Sequence, residues 1–266
     1  MGRYAVVGHV EWVEFVEVDH VPAPGQIAHG SESWAEPAGG GAVAAVQIVK
    51  LAGACDFYTA LGEDELGRRS AERLEELGVA VHAQWFGRTR RALTHVDRNR
   101  ERTITTVGPK LRPAGPLPLA GYDGIFFVAG DVAALRSARE ARFLSATPRE
   151  LPILLEGGVP LDLLVGSNTD PGEHYDGGLE VGLFVATEGS RGGVAGGARF
   201  EAVEPPGPLE DTYGAGDSFA ATLTFALARG DALPAALALA SRAGAAVITG
   251  KGPYSAQLTL AGPAHE

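Results

Sequence analysis

The chain has 266 residues, 45% of them hydrophobic and 21% charged. This is a globular composition at the length of one large domain or two small ones, enough to build a core without disulfides or metals. Lys and Arg number 22 against 33 Asp and Glu, and the net charge of −11 argues against a dedicated nucleic-acid binder. The single cysteine, Cys55, rules out an intramolecular disulfide and a multi-cysteine zinc site, and reads as a small buried apolar residue. The N-terminus lacks the basic start and long apolar stretch of a signal peptide, and no apolar run reaches about 18 residues. A cytoplasmic protein with no membrane or nucleic-acid partner is the expectation.

Tyr4 to Val10 reads as a buried strand, and Glu11 to Val18 as a strand with one wet face. A Pro22-Ala23-Pro24-Gly25 turn follows, with Gln26 to Ser33 as the returning strand. Beyond the glycine run 39–41, Ala42 to Leu51 reads as a helix, Asp56 to Leu61 as a strand, Asp64 to Leu77 as a helix stopped by Gly78, and Val79 to Ala83 as a strand. Arg90 to Val96 and Arg102 to Val107 form a second hairpin, followed by a linker marked by Pro109, Pro113, Pro116 and Pro118. Ile125 to Ala129 is a predicted strand and Val132 to Leu144 a helix. Ile153 to Leu155, Leu163 to Val165 and Leu183 to Ala186 are predicted short strands. A Gly-rich turn then opens a helix within Thr212 to Arg229, and Pro234 to Ile248 is a last, Ala-rich helix. Apolar strands alternating with helices predict a parallel α/β sheet covered on both faces. The two hairpins, at about 11–33 and 84–107, predict a small lid sheet on one domain spanning 1–266.

The strongest local signal for chemistry is Asp211-Thr212-Tyr213-Gly214-Ala215-Gly216-Asp217. Small residues at 214–216 expose consecutive backbone N–H groups at a helix N-terminus, where orphan donors and the helix dipole both favour an anion. Asp217 in the first turn can accept a proton from an alcohol while those N–H groups hold a transferring phosphoryl group. The simpler alternative is a Gly-rich cap with Asp complementing the dipole.

This segment resembles the DTxGAGD signature of the ribokinase (PfkB) family of carbohydrate and nucleoside kinases. Gly39-Gly40 before a helix resembles the family's substrate-side di-glycine, Pro22 to Gly25 its P-x-x-G turn, and Arg102-Thr103-Ile104-Thr105 its lid strand. Thr187-Glu188-Gly189-Ser190-Arg191-Gly192 resembles its nucleotide loop, T-x-G-x-x-G. The order and spacing run across almost the whole chain. The resemblance implies a ribokinase-like three-layer α/β/α sandwich, with a mostly parallel central sheet and a small β lid. It implies Asp217 as base and an anion hole from Gly214, Ala215 and Gly216. ATP would bind along Asn168, Thr187, Gly189, Ser190, Gly192 and Gly252, with Mg²⁺ between the phosphates. Substrate would meet Glu11, Glu14, Gly39 and Gly40. Asp211 and Thr212 match positions that hold a monovalent cation, usually K⁺, in many relatives; helix capping is the other reading. Relatives often pair through their lids, which implies a homodimer.

The departures are specific. The first strand of the family often reads G-S-x-N-x-D; here Glu11 stands at the Asn position and Val13 at the Asp position, with Glu14 placed to compensate. Ala44 replaces the Asn of G-G-x-x-x-N. The N-x-x-E motif that organises Mg²⁺ reads Asn168-Thr169-Asp170-Pro171, leaving Asp170 one residue early and Glu173 two residues late as water-mediated candidates. The D-x-N-x-R stretch before it is not found, Ile153 to Asn168 being very short, and Thr222 stands where a small Gly or Ala is usual.

The second hairpin carries Arg88, Arg90, Arg91, Arg98, Arg100 and Arg102 against Asp97 and Glu101, locally +4. It reads either as a phosphate clamp or, preferably, as a solvated hairpin protecting a sheet edge. Trp12 and Trp34 can stack on a ligand or pack lid to core. The seven His show no metal-ligand spacing. The leading expectation is an ATP-dependent kinase for an alcohol of a small sugar, polyol or nucleoside. Glu11 and Glu14 would accept from neutral hydroxyls and repel a phosphorylated substrate. The alternatives are a non-catalytic binding or regulatory protein and, less favoured, a Rossmann oxidoreductase, for which Gly8 stands without G-x-G-x-x-G.

Overall fold

The computed structural model describes residues 2–260; residue 1 and residues 261–266, the ends of the expected single-domain span, lie outside the described residues. In chain order the strands are β1 (Tyr4–Val7), β2 (Glu11–Glu17), β3 (Glu32–Ala38), β4 (Asp56–Leu61), β5 (Ala80–Trp85), β6 (Arg91–Val96), β7 (Arg102–Val107), β8 (Gly124–Phe127), β9 (Leu144–Ala146), β10 (Leu161–Ser167), β11 (Val181–Thr187), β12 (Gly193–Ala195) and β13 (Ala198–Phe200). The helices are α1 (Gly40–Ala52), α2 (Glu65–Glu76), α3 (Val132–Ala138), α4 (Leu151–Gly157), α5 (Ala215–Ala228) and α6 (Leu233–Val247).

Nine strands form the central sheet in the order β13-β12-β11-β10-β9-β8-β1-β4-β5, parallel from β11 through β5 and antiparallel at the β12 and β13 edge. Side chains alternate across it. Tyr4 and Val6 of β1 enter one core with α1, α5 and α6, and Ala5 and Val7 enter the other with α3 and α4. Layers on both faces of a buried parallel sheet are the expected three-layer sandwich. The chain leaves the C-terminal ends of β1 and β5 to build a second sheet, β3-β2-β6-β7, whose two hairpins join through a parallel β2–β6 pair. This is the expected lid. Among the described residues no helix is long and apolar enough to cross a membrane.

Three expectations are corrected. The returning strand of the first hairpin is Glu32–Ala38, not Gln26 to Ser33, so Trp34 and Glu36 lie in the lid. The helix expected to reach Leu144 ends at Ala138, and Leu144 and Ala146 form β9 between β8 and β10. Ile153 to Leu155 is not a strand but lies in α4, which starts at Leu151-Pro152 and stops at Gly158 in the left-handed region. Short apolar runs fit a buried strand or a helix face equally well, and only packing separates them. The β12–β13 hairpin carries too little apolar pattern to be read in advance.

The order places β8 beside β1, where the chain's progress across the sheet reverses, and the crevice at this switch point is where open α/β sheets bind ligands. Glycines bring the backbone close here. A Cβ on Gly41 would stand 2.7 Å from the His9 carbonyl oxygen, and one on Gly8 would stand 2.8 Å from the Gly41 Cα. Both neighbours are backbone and cannot step aside. Gly41→Val is therefore expected to destabilise the fold by roughly 1–3 kcal/mol, read as a lowered thermal midpoint; an unchanged midpoint would show that α1 does not need this close approach.

Candidate functional site

Two helix N-termini meet at the switch point. Gly39 caps α1 with φ 88°, and Gly214 caps α5 with φ 83°, conformations that favour glycine. The first hydrogen bond of α5 runs from the Ser218 N–H to the Gly214 carbonyl at 2.8 Å, so the N–H groups of Ala215, Gly216 and Asp217 precede the ladder as orphan donors. A Cβ on Gly40 would lie 2.7 Å from Asp217 Oδ1 and 3.1 Å from Val128 Cγ1. The di-glycine and the carboxylate, 177 residues apart in sequence, are thus in direct apposition. Burial pushes the Asp217 carboxyl above the usual carboxylate range, and Arg102, Arg149 and Lys110 pull it part of the way back.

The lid supplies the next layer. Glu11 lies at the start of β2, buried, with Arg90 Nε 3.0 Å from its Oε1 and His9 Nε2 at 3.7 Å. Burial raises its carboxyl, and Arg90 and Lys110 oppose that. Glu14 does not join it. Three residues on along a strand, it points to the opposite face and pairs with Arg91 at 2.5 Å. The hairpin arginines are engaged in the same way, Arg98 with Asp19, Arg100 with Glu17 and Glu210, and Arg102 donating to the Thr212 carbonyl at 3.0 Å. Trp34 stacks on Phe15 at 5.0 Å, and Arg69 covers Trp12 at 4.5 Å, so both tryptophans pack within the protein.

Beside the Gly214–Gly216 turn, Asp211 is buried to 1% exposure. Its Oδ1 accepts from the Tyr213 N–H at 2.8 Å, while its Oδ2 has no partner among the described residues. Burial raises this carboxyl, and the amides of Tyr213 and Gly252 pull it down. Gly252, expected along the nucleotide, lies beside Asp211, and a Cβ on it would stand 2.5 Å from Glu36 Oε1. Thr212 is half-buried next to Asp211, its carbonyl holding Arg102. The Gly39 N–H donates to the Tyr213 hydroxyl at 3.2 Å, tying the two glycine turns together.

On the far side of the crevice, Thr187 ends β11 and a tight turn covers Gly189–Arg191, closed by the Glu188 N–H on the Gly192 carbonyl at 2.7 Å. Ser190 sits exposed at its tip. Asn168 reaches this loop, its Nδ2 donating to Glu188 Oε1 at 3.1 Å. Asp170 and Glu173 both engage Arg149, the latter at 2.8 Å. Burial raises the Glu173 carboxyl against the pull of Arg149, and Asp217 adds to the rise. Among the described residues no group of three or more His, Cys, Asp or Glu side chains is gathered to hold a metal.

Sequence reasoning passed over Arg149, Lys110, Arg112 and Glu150. Arg149 was legible. It stands fifth in Ser145-Ala146-Thr147-Pro148-Arg149, the arginine spacing of D-x-N-x-R, upstream of the stretch where that motif is expected. Thr147 and Pro148 open the turn after β9 and set Arg149 toward the crevice. Lys110 and Arg112 follow β7 in the Pro-marked segment and carry no motif. Thr222 is fully buried in α5, and its hydroxyl has no partner among the described residues.

The pfkB family carbohydrate kinase model matches residues 1–132 and 177–260, well over half the chain. The unmatched stretch holds Arg149 and the altered Asn168 to Glu173 segment. Comparison with curated proteins found no match. Among solved structures the chain is similar to the ribokinase of Thermotoga maritima, with a TM-score of 0.78 at 21% identity over 97% of each chain. It is also similar to Arabidopsis thaliana ribokinase complexed with ribose and ATP, with a TM-score of 0.74 at 20% identity over 97% of this chain and 96% of that one. A third is Escherichia coli phosphofructokinase-2 in complex with potassium, with a TM-score of 0.70 at 17% identity over 96% and 95%. Fold, glycine turns and family match agree: the chain belongs to the PfkB family of carbohydrate kinases.

Proposed function

We propose that the protein transfers the γ-phosphoryl group of ATP to an alcohol of a small sugar, polyol or nucleoside, with Asp217 as the general base. The observation that carries this is the raised, half-buried Asp217 carboxyl set against Gly40 in the turn whose N–H groups are unpaired. A base above the usual carboxylate range matches an alcohol proton better than an exposed Asp does. The orphan amides of residues 214–217 would hold the charge of the transferring group. ATP would lie along Thr187, Gly189, Ser190 and Gly192 with Asn168 beneath, and Arg149 would meet phosphate oxygens. Asp170 and Glu173 are oxygen donors of the kind Mg²⁺ takes through water, and the ion, when bound, neutralises phosphate charge. Because Arg149 already engages both, the nucleotide itself would be the ion's main ligand.

Asp217→Asn is expected to lower kcat by roughly 10²–10⁴; full turnover on the true acceptor would remove Asp217 from the chemistry, and acceptor binding without any turnover in the wild type would favour a binding protein. The acid limb of kcat/KM is expected above the ordinary Asp range, because the base must lose its proton. Stability follows the same shift. A carboxyl whose folded pKa exceeds its unfolded one costs stability as pH rises past the unfolded value. The Asn variant should therefore melt higher than wild type near neutral pH, with the gap closing as pH falls into the ordinary carboxylate range. Equal melting curves throughout would contradict the raised carboxyl.

The unpartnered Oδ2 of buried Asp211 fits a monovalent cation such as K⁺, which would satisfy it and fix the turn leading to the anion hole. K⁺ in place of a bulky organic cation is expected to raise the thermal midpoint by mass action, and Asp211→Asn should abolish the rise. A response to K⁺ that survives the substitution would place the ion elsewhere.

A further inference from the structure

The two helices that meet at the crevice begin in the same way. The Val43 N–H donates to the Gly39 carbonyl at 3.1 Å and the Ser218 N–H to the Gly214 carbonyl at 2.8 Å, so each residue closes the first rung of its helix, α1 and α5. One side chain joins the two rungs. Gln257, in the segment after α6, is 5% exposed, and its Nε2 donates to the Val43 carbonyl at 3.0 Å and to Ser218 Oγ at 3.3 Å. A carbonyl only accepts, so the nitrogen end of the carboxamide must face Val43. Both of its N–H groups are then spent, and Oε1 has no partner among the described residues. Val43 also closes the junction itself: a Cβ on Gly214 would stand 3.0 Å from Val43 Cγ1.

The segment that carries Gln257 is anchored on several sides. Gln47 Nε2 donates to the Leu258 carbonyl at 2.8 Å, and the Leu260 N–H to the Lys50 carbonyl at 3.2 Å. The Lys50 ammonium donates to the Tyr254 carbonyl, and the Tyr254 hydroxyl to the Pro37 carbonyl of β3 at 2.6 Å. Gln257 is thus a fixed point against which α5 is set. Ser218 follows Asp217 directly, and successive side chains leave a helix about 100° apart. Ser218 meets Gln257 while Asp217 meets Gly40, where a Cβ would lie 2.7 Å from its Oδ1. Holding Ser218 therefore fixes the roll of α5 about its axis. At roughly 5–6 Å from that axis, a roll of about 10° carries a carboxylate about 1 Å. A misplacement of that size costs up to about 10²-fold in rate.

We infer that Gln257 is a positioning residue, which sets the Asp217 carboxylate by tying the first rung of α5, through Ser218, to the first rung of α1. This rests on the reading of Asp217 as the base. Gln257 stands 40 residues after Asp217, in a segment that carries none of the site's glycine turns.

The test uses the full chain with Gln257→Met, which keeps the length and bulk of the side chain and removes both donors. The Val43 carbonyl keeps its helical partner, and the Ser218 hydroxyl can turn to the carbonyl four residues back, so no buried group is stranded. With MgATP and the true acceptor, kcat is expected to fall roughly 10- to 100-fold, with either KM changing less than about twofold. On the Asp217→Asn background the same substitution should cost nothing more, because a residue that acts through Asp217 has nothing left to position. A loss of folded protein would lower both backgrounds by the same factor, so an equal loss overturns the inference, as does an unchanged kcat. Melting at pH 7 gives a reading that needs no acceptor. The rise in thermal midpoint on Asp217→Asn should shrink by about half or more when Gln257→Met is present, because a loosened turn lets water reach the carboxylate. An equal rise in both backgrounds overturns the inference whatever the turnover. If Gln257→Met does not fold, Ser218→Ala, which removes only the α5 arm, carries both comparisons. A wild type that turns over no acceptor discards the kinase reading, and the melting comparison still decides whether Gln257 sets Asp217.

Discussion

The molecule is organised around the meeting of two helix N-termini. Each helix end carries a partial positive charge and unpaired N–H groups, so bringing α1 and α5 together at Gly40 and Asp217 would be unfavourable with nothing between them. Asp217 supplies one negative charge at the junction, and the space beside it favours another. The same contact explains why glycine recurs at 8, 39, 40, 41 and 214: any side chain at the approach would push the helices apart or strain the caps. The C-terminal segment locks the arrangement from behind, with Gln257 Nε2 donating to the Val43 carbonyl at 3.0 Å and the Tyr254 hydroxyl to the Pro37 carbonyl at 2.6 Å. The burial that raises the Asp217 carboxyl is a consequence of this packing rather than an addition to it.

The lid is held by a different balance. Phe15 stacks on Trp34 within the lid and anchors β2 to the core through an edge contact with Tyr213 at 5.2 Å, while β7 is exposed along its whole length. Most of the lid's ion pairs are exposed and contribute little to stability. Arg90–Glu11 differs, since both side chains are under one-fifth exposed, and losing either partner would strand a buried charge. That pair joins β2 to the residue just before β6 at the mouth of the crevice. The lid's charge pattern is therefore divided: outer pairs keep the sheet edge solvated, and the inner pair lies largely buried at the mouth of the crevice.

Much of the fold could be read in the sequence because it rests on local signals. Asp56–Leu61 is matched residue for residue as β4, and Asp64 and Leu77 cap α2 just before Gly78, the expected stop, with the Asp64 carboxylate accepting from the Gly67 N–H at 2.9 Å. The Asp211 to Asp217 turn was legible because glycine spacing at a helix start is itself a backbone statement. Leu144, Ile153 and the β12–β13 hairpin were not, because a three-residue strand takes its identity from its neighbours in the sheet. Glu14 was assigned beside Glu11 although strand parity alone separates them, an inference the period of two could have corrected.

What the sequence determined by itself is the alternation of apolar strands and helices, the glycine turns at 39–40 and 214–216, and the carboxylates at 211 and 217, since each depends on backbone conformation or on residues close in the chain. Only the tertiary structure decided which charges face which. Glu11 meets Arg90 across two strands paired through the lid, Glu150 gathers Lys110 and Arg112 from 40 and 38 residues away, and Arg149 takes up Asp170 and Glu173. Charge complementarity is set by distance in space, which the linear order does not encode, so the charge pattern of the crevice is written in the fold rather than in a motif.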